Sequence, residues 1–320
     1  MSDWLAGDAP RDERETAFLG LLREAAPSWA QFGVAPTSTV VLTPMVPLVA
    51  QIDLGQGHLR YLECGLWPPG SQSGLECERG EGHLLDNGGP DGTYVPLPDL
   101  GAVEAAELAI AWFAARLSAL ASNLPPDAGP DLEPPPPVSV PNGWFPGTVP
   151  DEEHQQVFHA ALAQKASALE TLGFRRGESR AEVGKDGSIQ LSVSMPWLGA
   201  GAPQLSVHFR PPSRTDQNLT GIWHLANSAR AAHPLLQVGA FALPPGHAAD
   251  LAFRWICASA LTPVRVELWR NRAGQLTAGR WTQLAGSEAT VTSGRRVSRM
   301  TRATDVVICE SPHTGSPPPS

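Results

Sequence analysis

"GSIQLSVSM" (residues 187–195) and "QLSVHF" (204–209) decide the fold class, because apolar and polar residues alternate strictly along both stretches. Successive side chains of a β-strand point to opposite sides of the sheet. One face of each strand is therefore apolar, with Leu191, Val193 and Val207 among its members, and the other face is polar. The pattern predicts an antiparallel sheet with one buried face.

Amphipathic helices are predicted before and after these strands. "DEEHQQVFHAALAQKASALETLGF" (151–174) has an acidic first turn and a stop at Gly173. "AELAIAWFAARLSAL" (106–120) and "ADLAFRWICASAL" (249–261) carry Ala, Leu, Ala, Trp and Ala at the same spacing. This likeness has two explanations: a diverged duplication of one helix-on-sheet unit, or convergence of two alanine-rich helices that pack on sheets.

The remaining elements follow from periodicity and turn residues. Residues 12–26 predict a helix, and a stripe of Leu219, Ile222, Trp223 and Ala226 predicts another from about Arg214 to Ala232. A glycine-rich acidic stretch lies at 70–92, and the first unit is predicted to contain three or four strands between two helices. Strands are predicted at 38–44, 47–54, 58–67 and 235–243, with a closing hairpin at 264–271 and 274–284.

Composition predicts two domains. Prolines 134–137 lie in a segment, 122–150, that is predicted to be an extended linker between an acidic domain (1–121) and a second domain (151–285). A basic and then Pro/Ser-rich tail follows at 286–320, and its last ten residues are expected to be disordered. The predicted fold class is α+β, each domain being an antiparallel sheet covered on one face by helices.

Charge is distributed unevenly along the chain. Residues 1–150 hold 19 acidic and 6 basic residues, whereas residues 151–320 hold 13 acidic and 17 basic residues. Two lysines among 23 basic residues, with abundant Ala, Gly and Pro, are typical of a GC-rich bacterial genome. The net charge of −13 over residues 1–150 favours a basic protein partner for the first domain.

The cysteine pattern and the N-terminal sequence indicate a cytoplasmic location. The chain has four cysteines without CxxC spacing, no apolar run long enough to cross a membrane, and no secretion signal in "MSDWLAGDAPRDERE". Four possible zinc ligands lie close together, but their spacing is unlike that of zinc knuckles, so ordinary strand residues are favoured over a metal site or a redox pair. They are His58, Cys64, Cys77 and His83.

A hydrolytic site is considered on the polar face of the predicted second sheet. His208 would act as the base for Ser192 or Ser206, and Glu182 would orient the imidazole. No residue marks either serine as a strained nucleophile, so a solvated sheet face is preferred. The glycine-rich stretches 86–92 and 199–203 lack the order of phosphate-binding loops, and no cofactor is predicted.

The C-terminal hairpin carries the candidate binding residues. Between Arg265 and Arg302 there are eight arginines and two glutamates, interleaved with tryptophans. Such a region resembles a phosphate-binding patch, although an acidic chain makes nucleic acid the less favoured partner. The binding residues assigned from sequence are Arg265, Arg270, Arg272, Arg280, Trp269, Trp281 and Trp67.

The sequence is compatible with three functions. The first is a non-catalytic bacterial protein-binding protein of the immunity, chaperone or adaptor kind, which acts through the acidic first domain. The second is a hydrolase or transferase with its site between the domains or around His208. The third is a nucleic-acid binder that uses the region Arg265 to Arg302.

Overall fold

The structure, a computed structural model, combines helices and sheets, as α+β predicts, and divides into two compact units. Unit 1 contains residues 1–133, 211–219 and 236–243, and unit 2 contains residues 134–210, 220–235 and 244–320. The residues described are 3–43, 47–55, 60–69, 74–81, 92–122, 143–148, 152–184, 187–199, 202–210, 217–225, 236–239, 241, 243–273, 275–284, 290–294, 303 and 305–310.

Unit 1 is a mainly antiparallel sheet with two helices. Its helices are α1 (Glu13–Ala25) and α2 (Ala102–Ser122), and 3-10 turns follow α1 at Ala26–Phe32 and Pro36–Ser38. Its strands lie in the order β1-β2-β3-β4-β5-β6-β11. They are β1 (Ala6–Gly7), β2 (Thr39–Leu42), β3 (Leu48–Asp53), β4 (Arg60–Leu66), β5 (Leu75–Glu81), β6 (Thr93–Val95) and β11 (Leu236–Gly239).

The helices cover one face of this sheet. Ile52, Leu62 and Cys64 are fully buried on that face, while their chain neighbours point the other way. Trp29, in the 3-10 turn after α1, and Phe113 of α2 pack with their ring centroids 5.1 Å apart. Burial of large aromatic side chains at the junction of the two helices with the sheet supplies much of the hydrophobic stabilisation of unit 1.

Unit 2 repeats this construction. Its helices are α3 (Glu153–Ala166) and α4 (Pro245–Leu261), and 3-10 turns lie at Ser167–Leu172, Arg176–Glu178 and Pro196–Leu198. The rings of Phe158 on α3 and Phe209 on β9 stack at 4.5 Å. Its first sheet has the order β10-β9-β8-β7 and consists of β7 (Ser179–Val183), β8 (Ile189–Ser194), β9 (Pro203–Phe209) and β10 (Gln217–Leu225).

A second sheet completes unit 2. It has four antiparallel strands in the order β14-β13-β12-β15. The hairpin of β12 and β13 is the one that the sequence predicts. The strands are β12 (Val264–Arg270), β13 (Leu276–Gln283), β14 (Thr290–Gly294) and β15 (Asp305–Cys309).

One element prediction was wrong. Residues 217–225 form the strand β10 instead of a helix, because the buried Leu219, Gly221 and Trp223 alternate with the less buried Thr220, Ile222 and His224. The apolar stripe in the sequence fits both a helical and a strand period over so short a stretch. The glycine-rich acidic stretch contains the strand β5, in which the alternating Leu75 and Cys77 fill the core.

The predicted linker and tail also differ from the structure at their described ends. Trp144 and Phe145, near the end of the predicted linker, are each 1% exposed and pack into unit 2. Strands β14 and β15 lie beyond residue 285, inside the predicted tail. The proline tract 134–137 and the last ten residues lie outside the described residues.

Each unit begins with a strained four-residue stretch that we call the Trp-Gly segment: Trp4–Gly7 in unit 1 and Trp144–Gly147 in unit 2. Its second residue has positive φ, 51° at Leu5 and 52° at Phe145. Within the described part of the chain, no other residue except glycine has positive φ. Such a conformation persists only where surrounding contacts hold it in place.

The contacts that hold the two Trp-Gly segments correspond one to one. The Leu5 N–H donates to Thr39 Oγ1 at 2.8 Å, and the Phe145 N–H donates to Ser179 Oγ at 2.9 Å. Each hydroxyl in turn donates to the carbonyl three residues before it. The segment's glycine has φ of 139° in unit 1 and 138° in unit 2 and lies beside the first long strand of its sheet.

A constant interval in residue number separates equivalent positions in the first parts of the two units. Leu5 and Phe145, Gly7 and Gly147, and Thr39 and Ser179 are each 140 residues apart. The same interval separates the first residues of α1 and α3 and the left-handed glycines that follow them, Gly33 (φ 85°) and Gly173 (φ 87°). Along the chain, the order helix, five strands and helix occurs twice, from α1 to α2 and from α3 to α4, although the fifth strand of the second set, β11, belongs to unit 1.

The carbonyl of the strained residue is held differently in the two units. Arg23 Nη2 donates to the Leu5 oxygen at 3.1 Å, whereas His159 Nε2 lies 3.1 Å from the Phe145 oxygen. His159 is 5% exposed, and burial lowers the pKa of its imidazole, with the Phe145 carbonyl opposing that effect. The neutral imidazole therefore donates this bond.

We expect the wild-type protein to lose stability at acidic pH through His159, and the His159→Gln variant to lack that loss. Because the folded protein holds the imidazole neutral, the unfolded chain takes up the proton first, and wild-type stability falls as pH drops below about 6.5. Glutamine keeps a donor without titrating, so the variant should lie within about 1 kcal/mol of wild type at pH 8. Urea unfolding across pH measures the difference, and parallel pH curves for the two proteins would contradict it.

Candidate functional site

The face of unit 1's sheet opposite its helices carries a carboxyl cluster. Strand register places Glu63 on β4 directly opposite Glu78 on β5, with Gln51 of β3 on the other side of Glu63. Glu76 lies two residues along β5 and opposite Tyr94 of β6. We call Glu63, Glu76 and Glu78 the carboxyl cluster; all three side chains are partly buried.

Burial and mutual repulsion shift the titration of this cluster. Desolvation raises the pKa of Glu63, Glu76 and Glu78, and that of Glu78 rises to about 8. A hydrogen bond joins the Glu63 and Glu78 side chains. Glu78 therefore keeps its proton at neutral pH and donates it to the Glu63 carboxylate. Like charges directly opposite on neighbouring strands destabilise a sheet, so sharing a proton relieves the repulsion.

The equivalent positions in unit 2 carry a different pair. Register counted outward from Thr39 and Ser179 makes Gln51 equivalent to Ser192, and Glu63 equivalent to Ser206. Ser206 Oγ lies 2.6 Å from His224 Nε2 of β10 and 2.7 Å from Ser192 Oγ. Both units thus place a hydrogen-bonded polar pair at the same point of the same face.

The serine and histidine residues assigned from sequence come together only in part. Ser192 and Ser206 are directly opposite each other, but the imidazole that reaches Ser206 belongs to His224. His208 lies directly opposite Gln190, two residues along β9 from Ser206. The strand β10, which the sequence predicts as part of a helix, brings His224 to Ser206.

The geometry around Ser206 is that of a structural hydrogen-bond network. Its side chain is completely buried, so a substrate carbonyl does not reach Oγ in this conformation. Glu182 is ion-paired with Arg180, at 3.2 Å, and Gln190 lies between Glu182 and His208 in the register. Glu182 therefore does not orient a catalytic imidazole.

The predicted cysteine and histidine cluster is also only partly assembled. Cys64 and Cys77 are directly opposite on β4 and β5, and both are buried free thiols. Burial raises the pKa of the Cys64 thiol, with contributions from Cys77 and Glu63. His58 and His83 lie outside the described residues. Within those residues, no three His, Cys, Asp or Glu side chains are grouped to hold a metal.

Arg265, Glu267 and Arg280 of the arginine region lie on the face of the second sheet opposite the buried Val264 and Val266. Glu267 binds Arg265 at 3.1 Å and Arg280 at 3.2 Å, and the Arg280 guanidinium lies 5.5 Å from the centre of the Trp269 ring. Arg270 binds Asp305 at 3.0 Å. Glu267 and Asp305 thus offset two of the four arginine charges that the structure describes in this region.

The other binding residues that were assigned from the sequence differ in their burial. Trp281 was wrongly assigned, because it lies on the opposite face from Arg280 and is completely buried. Trp67 is partly buried after β4, and its carbonyl accepts a hydrogen bond from Arg14. Arg272 is exposed at the turn between β12 and β13. The remaining arginines, Arg295, Arg296, Arg299 and Arg302, lie outside the described residues.

Sequence reasoning missed the residues that dominate the site, namely the carboxyl cluster and His224. One signal was available for the cluster: "LEC" occurs at 62–64 and again at 75–77. When these copies lie on neighbouring strands, their cysteines share the buried face and their glutamates the other.

Comparison with known proteins adds no analogy to this geometry. The chain matches no family model, no curated protein and no solved structure. In the described ranges, no helix has the length and hydropathy that a membrane crossing requires.

Proposed function

We propose that this chain is a non-catalytic protein-binding protein of the immunity, chaperone or adaptor kind, acting in the bacterial cytoplasm. In this proposal the carboxyl cluster of unit 1 binds a basic segment of another protein. The observation that carries the proposal is the hydrogen-bonded pair of Glu63 and Glu78, with Glu76 beside it. The four cysteines, all free thiols, are consistent with a reducing compartment.

The fold does not need the carboxyl cluster. Carboxyl groups held together against their repulsion cost folding free energy, and such costs concentrate where a protein binds or reacts. Unit 2 fills the equivalent positions with Ser206 and a histidine partner, so the same kind of sheet forms without the cluster. The acidic residues of unit 1 are therefore better explained by a ligand than by folding.

We also propose that the two units descend from one duplicated module. The support is the interval of 140 residues shared by Gly7 and Gly147, by Thr39 and Ser179, and by α1 and α3, together with matching positive φ angles. After a duplication, contacts needed for folding persist in both copies and surfaces diverge. On this view the carboxyl cluster is where unit 1 acquired its own partner.

A basic partner would change the protonation of the cluster. A lysine or arginine placed beside Glu63 and Glu78 favours the charged carboxylates and lowers the raised pKa of Glu78. At neutral pH, binding should therefore release a proton from Glu78. Association should also weaken with salt, because attraction between charged surfaces is screened.

The test compares two triple variants that lose the same charge. E63Q/E76Q/E78Q removes the cluster, whereas E13Q/E24Q/E107Q removes three exposed carboxylates from α1 and α2. Partners captured from a bacterial lysate by the immobilised wild-type chain are quantified by mass spectrometry. We expect the cluster variant to bind the captured partner at least about tenfold more weakly and the control to bind as wild type does.

Calorimetry with the captured partner supplies the second readout. Titrations at neutral pH in two buffers of different ionisation enthalpy give the number of protons released, which we expect for wild type and not for E63Q/E76Q/E78Q. Equal affinity of the cluster variant and its control would refute the proposal.

A further inference from the structure

Strand β15 (Asp305–Cys309) ends the second sheet of unit 2 and is the most apolar exposed element in the described part of the chain. Among the strands that the structure describes, it pairs with β12 along one edge and is the terminal strand of that sheet. Its three central side chains, Val306, Val307 and Ile308, are 53%, 52% and 59% exposed. Consecutive exposed aliphatic residues on an edge strand are unusual, because such an edge is a template for another strand.

The strand lacks the features that keep an edge from pairing. Edge strands are usually protected by lysine, proline, a bulge or an inward-pointing charge. The sequence Asp-Val-Val-Ile-Cys contains no lysine or proline, and its pairing with β12 runs in unbroken register from Asp305 to Cys309. Asp305, its one charged residue, is already bound by Arg270. The edge therefore presents backbone donors and acceptors flanked by aliphatic side chains.

We propose that a second copy of this chain occupies the edge, with the two β15 strands antiparallel about a twofold axis at Val307. A twofold axis perpendicular to the sheet leaves each side chain on the same face in both copies. Because side chains alternate between faces along a strand, the axis must pass through a residue and not between two residues. The register centred on Val307 pairs all five residues of the strand. It places Val306 opposite Ile308 of the second copy and Val307 opposite itself.

The positions of the acidic residues favour this register. Asp305 lies opposite Cys309 of the second copy, so no two carboxylates meet directly. A register centred on Ile308 instead places Val306 opposite Glu310, and one centred on Val306 pairs Asp305 with Val307. Of these three registers, only the one centred on Val307 pairs the three aliphatic residues with one another and keeps both strand ends paired.

Solution mass tests the proposal first. We expect light scattering of the wild-type chain at micromolar concentration to give twice its 33.9 kDa mass. Val307→Lys places a charge at the axis opposite its own copy and should yield a monomer. The matched control is Val183→Lys, since Val183 is 41% exposed at the end of β7, the terminal strand of the other sheet in unit 2. That variant should remain a dimer.

Disulfide trapping tests the register without destabilising the strand. Directly opposed residues on antiparallel strands lie within the Cα separation of a disulfide. In a Cys309→Ser background, Val307→Cys should form a covalent dimer on oxidation, and Val183→Cys should not. A wild-type monomer, a Val307→Lys dimer, or absence of trapping at residue 307 would each overturn the proposal.

Discussion

Alanine in place of Gly147 is expected to lower the free energy of unfolding by about 3–4 kcal/mol, the largest effect that we predict for a single methyl group. Gly147 has φ of 138°, and a Cβ built on it would lie 2.1 Å from the carbonyl oxygen of Ala181. That oxygen belongs to the backbone of β7 and has no rotamer by which to move away. Gly7 meets Val41 in the same way, at 2.3 Å, so Gly7→Ala should cost a similar amount.

Two other glycines serve as controls for this prediction. A Cβ on Gly20 of α1 meets nothing within 4 Å, and Gly20→Ala should stabilise the helix by about 0.5–1 kcal/mol. Gly33 has φ of 85° but open space around it, so Gly33→Ala isolates the cost of the backbone conformation, about 1 kcal/mol. Urea unfolding followed by circular dichroism measures all four variants. A Gly147→Ala protein as stable as Gly33→Ala would contradict the assigned contact.

Glu78→Gln is expected to remove a loss of stability that the wild-type protein suffers as pH rises. The pKa of Glu78 is raised to about 8 in the folded protein, from 4.5 in a solvated chain. Between these values the folded state keeps a proton that the unfolded state has lost, so stability falls as pH rises through this window. Glutamine mimics the protonated carboxyl. The variant should match wild type near pH 4.5 and exceed it by about 2 kcal/mol above pH 8, a figure reduced for solvent screening of a partly buried group.

The control for this pH dependence is Glu107→Gln on α2. The Glu107 side chain is exposed, so the variant should follow the wild-type curve at every pH. Thermal or urea unfolding from pH 4.5 to about 8.5 separates the two variants. If Glu78→Gln and wild type change in parallel over this range, Glu78 does not hold the proton that we assign to it.

The sequence predicted those parts of the fold in which one period dominates. Residues 187–195 and 204–209 became β8 and β9, because a polar residue at every second position excludes a helix with one buried face. The strand β10 was missed because Leu219 and Trp223 satisfy both a four-residue and a two-residue repeat. The Trp-Gly segments were missed for another reason: Leu5 and Phe145 adopt positive φ only because contacts distant in sequence hold them.

The candidate site was harder to predict than the fold, since it depends on register between strands. Glu63 and Glu78 are separated by a connection whose length sets which residues face each other, and nothing local specifies that length. The same holds for Ser206, whose partner His224 lies on the next strand and not on its own. Composition correctly indicated that unit 1 is the acidic part, but it could not indicate which carboxyl groups share a proton.

The buried cysteine pair has a further consequence, for kinetics. Cys64 and Cys77 are at most 1% exposed, and Cys257 is 5% exposed, whereas Cys309 is only half buried. A thiol reagent therefore modifies Cys309 first and reaches the other three as the structure opens. The labelling rates of Cys64 and Cys77 time the opening of the sheet in unit 1, and that of Cys257 times the release of α4 in unit 2. The native cysteines thus report local unfolding in each unit without any substitution in the chain.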